Sequence, residues 1–204
     1  MGSRIMHFII SERLIEQIPI KNKQSFLLGG IAPDAVSPKG LSHFYAGQAE
    51  DFTRHIAFES FYNKYSNEKD QDYILGYYTH LLADNIWLKG FYLPWLKNRM
   101  ENDENVFRRY HHDFRLLNGK LLDYYGIGSD RVDTLAEHDL SVDLEEVKAA
   151  DVKKLLVHVQ EDTNYSQQDL GEKLSVFTFE QMLGYIETAV ELNVFQIKVK
   201  NSDK

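Results

Sequence analysis

The chain contains no cysteine. Disulfides and thiolate-bound zinc are therefore excluded, and any metal centre has to be built from histidine, aspartate, glutamate and water. Positive charge is scarce: 23 Lys and Arg face 31 Asp and Glu, a formal net charge of −8, with no basic run. That balance argues against a nucleic-acid surface held by phosphate contacts. It does not argue against a small phosphate-bearing substrate, because a bound metal would dominate the local field. Long apolar runs are missing as well. The run near the start, IMHFII, is broken by His7 and followed by charge, which gives neither a signal peptide nor a membrane span and predicts a cytoplasmic protein. There is no glycine-rich phosphate loop and no GxSxG elbow. Internal repeats, low-complexity tracts, heptads and strand-rich stretches are also lacking.

What is present fits an ordinary globular chain. Apolar residues make up 43% and charged residues 26% of 204 residues, enough for one domain with a sizeable core. The periodicity predicts an all-α fold, a single bundle of about seven helices. Helices are expected over residues 3–18, stopped by Pro19, and over 21–31, ending at Gly29 and Gly30. Others are expected over 48–65, 73–87, 103–125 and 144–159, with a last one opened by Thr178 and Gln181 at capping-box spacing. Residues 89–100 read as an aromatic loop or short helix interrupted by Gly90 and Pro94, and residues 161–171 as a polar linker. The chemistry is concentrated in residues 4–125, and residues 126–204 read as a helical extension.

The stretch YILGYYTHLLADNIW, residues 73–87, carries His80 and Asp84 on a helix that is apolar nearly all round. A helix of that kind lies inside a domain. Four residues is just over one turn, so both side chains leave the same face. A buried His and Asp must be paired, hydrogen-bonded or metal-bound, and two ligands at this spacing can grip one divalent ion. The alternative is an internal His–Asp hydrogen bond that orders a core. Other histidines and acids add weight to a metal. His7 lies on an apolar stripe with Ile10, Leu14 and Ile18, and Asp34 follows Pro33 at a helix-to-loop junction. His43 sits where a loop meets the next helix, and His55 reads as packing. His111, His112 and Asp113 are consecutive on one helix, 100° apart, so they cannot all face one point. One or two of them are further candidate ligands.

The ordered set His7, GIAPD ending at Asp34, Ser-His43-Phe and Gly-x-x-x-His80-x-x-x-Asp84 resembles the zinc-dependent phospholipase C family, with the S1/P1-type nucleases as more distant relatives. The resemblance covers roughly residues 4–125. It implies an all-α fold with metals clustered between helices and hydrolysis of a phosphodiester by a metal-activated water. It also implies that His7 binds one metal and that Asp34 and His43 join His80 and Asp84 around another, with Asp84 able to bridge. This chain has Leu88 where that family often has a further His, and Arg115 and Leu116 stand four residues after His111 and His112. One or two ions are therefore expected instead of three, zinc first, with manganese or iron also suited to nitrogen and oxygen ligands. Asp34 is the expected catalytic group, orienting or deprotonating the water, and the substrate a phosphate-ester small molecule or lipid headgroup. Two other functions compete. One is an HD-type helical phosphohydrolase using His111 or His112 with Asp113. The other is an interaction protein that kept the fold and lost the reaction.

Overall fold

A computed structural model describes residues 2–202. It is all-α apart from one tiny hairpin. Helix α1 (Arg4–Ile15) starts where the Ser3 hydroxyl accepts the Met6 N–H, and almost every face of it is buried. Helix α2 (Lys23–Ile31) is capped by the Asn22 side chain. It runs straight through Gly29 and Gly30, where the sequence suggested a stop, and passes into a 3₁₀ turn at Ala32–Ala35 that holds Asp34. The reason lies across the interface. A Cβ on Gly29 would sit 2.1 Å from the Tyr73 carbonyl, and one on Gly76 would sit 2.0 Å from the Phe26 carbonyl. The glycines are the contact face of two helices packed backbone to backbone.

The partner is α4 (Gln71–Trp87), capped by Asp70. Between the two helices the chain makes a loop, a hairpin of β1 (Tyr45–Ala46) with β2 (His55–Ile56), and the short α3 (Phe58–Lys64). The helix expected over residues 48–65 is therefore only its last third. Phe52 at φ +61° puts a turn into its first part, just after Gly47 at φ +72°. After α4 the chain does not form a loop. Wide π-type turns over Leu88–Leu96 accommodate Pro94 inside a continuous helical path into α5 (Lys97–Asn102).

Helix α6 (Glu104–Tyr125) runs from its Asp103 cap to Gly126, which closes it at φ +65°. Then come α7 (Asp130–Ala136), α8 (Ala149–Asp162), α9 (Gln167–Gly171) and α10 (Phe179–Ser202). The segments beyond the expected seven are short ones, five to seven residues long, that periodicity cannot resolve. The capping box before α10 forms as expected: the Thr178 hydroxyl accepts the Gln181 N–H and the Gln181 side chain accepts the Thr178 N–H. One hydrophobic core runs through α1, α2, α4, α6, α8 and α10. Among the described residues, no helix is long and apolar enough to cross a membrane.

Candidate metal centre

Five of the predicted side chains meet. Helix α1 supplies His7, the 3₁₀ turn Asp34, the following loop His43, and α4 His80 and Asp84. The Nε2 atom of His7 lies 3.2 Å from Asp84 Oδ1, that of His43 3.3 Å from Asp84 Oδ2 and 3.5 Å from Asp34 Oδ1, and that of His80 3.7 Å from Asp84 Oδ2. All five side chains are at most 3% exposed. The His7 and His80 rings stack with centroids 3.6 Å apart, and His43 meets His80 edge-on. The backbone N–H of Gly2 donates to Asp84 Oδ1 at 3.3 Å.

Two of the imidazoles are held from behind. His80 Nδ1 contacts the Gly30 carbonyl at 2.8 Å, and because a carbonyl only accepts, Nδ1 carries the proton there. Nε2 then presents a lone pair to the cluster. The Gly30 carbonyl thus sets the tautomer of His80, and the missing side chain of Gly30 leaves room for Ser11 of α1, whose Oγ would lie 2.1 Å from a Cβ there. His43 Nδ1 lies 3.0 Å from Ser42 Oγ, whose own proton goes to the Pro33 carbonyl at 2.9 Å. Ser42 therefore accepts from His43, and Nε2 of His43 also faces inward. The Tyr77 hydroxyl anchors this corner by donating to the Ser42 carbonyl at 2.6 Å. Immediately after His43, Phe44 adopts φ +50°, a left-handed conformation rare outside glycine, that turns the chain into β1.

The electrostatics suit cation binding. Burial, reinforced by the adjacent His7, pushes His80 down to about 3, so it is neutral at neutral pH. Burial opposes ionisation of Asp34 and Asp84, yet their partners prevail and hold both well below the ordinary carboxylate range. Those partners include His43 and Lys39 at Asp34, and His7 and His43 at Asp84. For His43, burial lowers the value but the two carboxylates raise it above that of free imidazole.

The remaining candidates lie outside the cluster. His111 is exposed on α6, against Phe107 and Tyr110, in the wall of a cavity that Asp34 also lines. His112 pairs with Glu172 at 2.6 Å. Asp113 is buried, but its carboxylate accepts the backbone N–H groups of Ser175, Val176 and Phe177, ordering the approach to α10. His112 and Asp113 thus leave the ligand set, and the HD-type arrangement loses its aspartate. A burial pattern of three consecutive residues on a helix could not distinguish a metal ligand from a cap for a segment sixty residues away. His55, read as packing, is exposed in β2 and bonds the Thr53 carbonyl. Ser42 and Tyr77 had no visible role in the sequence, although Ser42 stood beside His43 in the motif.

The sequence model of the family described as zinc-dependent phospholipase C matches residues 6–113. The chain belongs to this family. Searches of curated proteins and of solved structures return no match. The matched span contains every side chain of the cluster and ends at α6. The family and the cluster together support a metal-dependent hydrolase with a divalent ion, zinc foremost.

The residues present fit such an ion. His7 Nδ1 and Nε2, His43 Nε2 and His80 Nε2 are buried without a hydrogen-bond partner among the described residues, although each Nε2 sits within 4 Å of a carboxylate. Buried polar atoms left in that state are costly, and a cation between them and the carboxylates removes the cost. Two overlapping triads have their donor atoms within 4.8 Å of one another: His7, Asp34 and His80, and His43, His80 and Asp84. His80 belongs to both and has one free nitrogen, so the triads describe one connected centre.

Proposed function

We propose that this chain hydrolyses a phosphate ester, a phosphodiester first, at a zinc centre held by His7, Asp34, His43, His80 and Asp84. The observation that carries this reading is the set of buried imidazole nitrogens, without hydrogen-bond partners among the described residues, that converge on two ionised, buried carboxylates in a chain of this family. Zinc bound there supplies Lewis acidity toward a phosphoryl oxygen and lowers the pKa of a water at the site toward neutrality.

The chain's own residues do the rest. The Gly30 carbonyl and Ser42 Oγ keep the His80 and His43 lone pairs aimed inward. Asp34 belongs both to the cluster and to the wall of the adjoining pocket, which makes its carboxylate the group that meets an incoming substrate. Its ionised oxygen accepts a hydrogen bond from the attacking water and orients the water's lone pair at phosphorus. The new phosphorus–oxygen bond forms as the ester bond to the leaving alcohol breaks. The proton the water gives up balances the one the alkoxide takes up.

Elemental analysis of zinc-loaded wild type beside Asp84→Asn tests this, together with hydrolysis of bis(p-nitrophenyl) phosphate and p-nitrophenyl phosphate. About one equivalent of zinc or more in wild type, about tenfold less in the variant, is expected from loss of a buried ligand. Ester hydrolysis should follow the zinc. A wild type that takes up no zinc, or a zinc-loaded protein inert to both esters, would make the chain a non-catalytic interaction protein of this fold.

A further inference from the structure

A cavity of about 350 Å³ opens beside the cluster, with Asp34 in its wall. That size lies near the lower end of small-molecule sites, roughly 300–1,000 Å³. Its charge runs against that of the whole molecule. On a chain of formal net charge −8, the wall presents three cations, Arg4, Lys39 and Arg115, against two carboxylates, Asp34 and Asp162.

The two carboxylates are already committed. Asp162 Oδ2 lies 2.8 Å from Arg4 Nε, so that pair balances itself. Asp34 bonds Lys39 but also belongs to the cluster, where a metal ion would compete with the ammonium for it. Arg115 is more than half exposed and has one nitrogen on Asp169, which is not in the wall; a guanidinium carries five N–H donors. Lys39 and Arg115 are therefore the groups with donors to spare, both in the cavity wall that Asp34 shares. A guanidinium and an ammonium at such a place match phosphate or carboxylate oxygens and repel an ammonium.

We propose that this cavity holds a second anionic group of the substrate, so that the chain acts on phosphate esters bearing a further phosphate or carboxylate and discriminates against choline-like cationic esters. This rests on the hydrolase reading above and assigns that site its substrate class. Arg115 and Lys39 are the specificity-determining residues.

The test uses zinc-loaded wild type, Arg115→Gln and Lys39→Gln, each checked for zinc content and far-UV circular dichroism. Calorimetry compares binding of myo-inositol 1,4-bisphosphate and phosphocholine, which share a phosphate monoester and differ in the sign of the second group. Hydrolysis is followed on glycerophosphoinositol 4-phosphate and glycerophosphocholine in solution. It is also followed on vesicles carrying phosphatidylinositol 4-phosphate or phosphatidylcholine. The expected result is tighter binding of the bisphosphate by about tenfold or more, one good charge-assisted contact, and a preference that falls toward unity in Arg115→Gln. Preference confined to vesicles assigns the anion to a lipid headgroup; preference in solution assigns it to a free ester. Equal or tighter binding of phosphocholine, or a bisphosphate preference untouched in both variants, overturns the proposal. If zinc-bound protein hydrolyses none of the esters, the hydrolase reading falls, whereas the calorimetric preference and its loss in Arg115→Gln still decide the anion pocket.

Discussion

A serine hydroxyl beside a histidine decides which nitrogen of that histidine faces the cluster. Ser42 Oγ receives the Nδ1 proton of His43 because its own proton is committed to the Pro33 carbonyl. Partners of this kind outside the ligand sphere typically change metal affinity by about 10–100-fold. Ser42→Ala should therefore weaken zinc binding by about tenfold with little change in fold, since the deleted atom is one hydroxyl. Chelator competition on the purified variant reads this directly. An unchanged zinc affinity would mean that His43 either does not bind zinc or is oriented by packing against Tyr45 alone, whose ring stacks on it at 5.7 Å.

At the scale of elements, the α2–α4 crossing positions half of the centre. Gly29 and Gly76 let the two backbones touch, and that distance brings the Gly30 carbonyl to His80. A methyl at Gly76 would meet backbone at 2.0 Å on the Phe26 carbonyl, which a rotamer change cannot relieve. Gly76→Ala is expected to destabilise by about 1–3 kcal/mol or more through overpacking and to lower zinc affinity as well, because α2 must move off His80. Chemical denaturation and zinc titration on the same variant check both parts. A second element-scale prediction concerns α6. The Asn105 backbone N–H and then Arg109 hold Asp103 below its ordinary value at the helix N-terminus. Its contribution is present above about pH 4, the unfolded value, and is lost as pH falls through the lower folded value. The melting-temperature gap between wild type and Asp103→Asn should therefore be widest near neutrality and shrink in acid; a gap that widens in acid would contradict it.

For the whole molecule, helices after residue 125 pack on the metal-binding half. Helix α10 packs on α1 and α4, and its Asn193 donates to the Thr79 carbonyl one residue before His80. The Tyr185 hydroxyl donates to the Ala83 carbonyl one residue before Asp84. Helix α8 packs on the turn that carries Asp34, and Arg4 reaches Asp162 at its end. A chain ending at residue 177 would lose α10, with its buried Ile186, Ala189 and Val190, from its packing on α1 and α4. It should show no cooperative thermal transition by circular dichroism. A cooperative melt with zinc bound would make the extension a separable unit.

The sequence by itself determined the all-α class, the central buried helix and the pairing of His80 with Asp84. These follow from local geometry: the helical period fixes which side chains share a face whatever the surroundings. It also singled out Asp34 and His43, through a proline turn and a motif. The choice among the other histidines and acids was decided only by the tertiary structure. His7 joined the cluster, while Asp113 was taken up by the backbone before α10 and His112 by Glu172. The hairpin in place of a helix start, Ser42 and Tyr77 behind His43, and the cationic pocket were settled at the same level. Each depends on groups distant in sequence arriving at one place, and burial with the available partners, not residue type or spacing, decides what a carboxylate or an imidazole does once it arrives there.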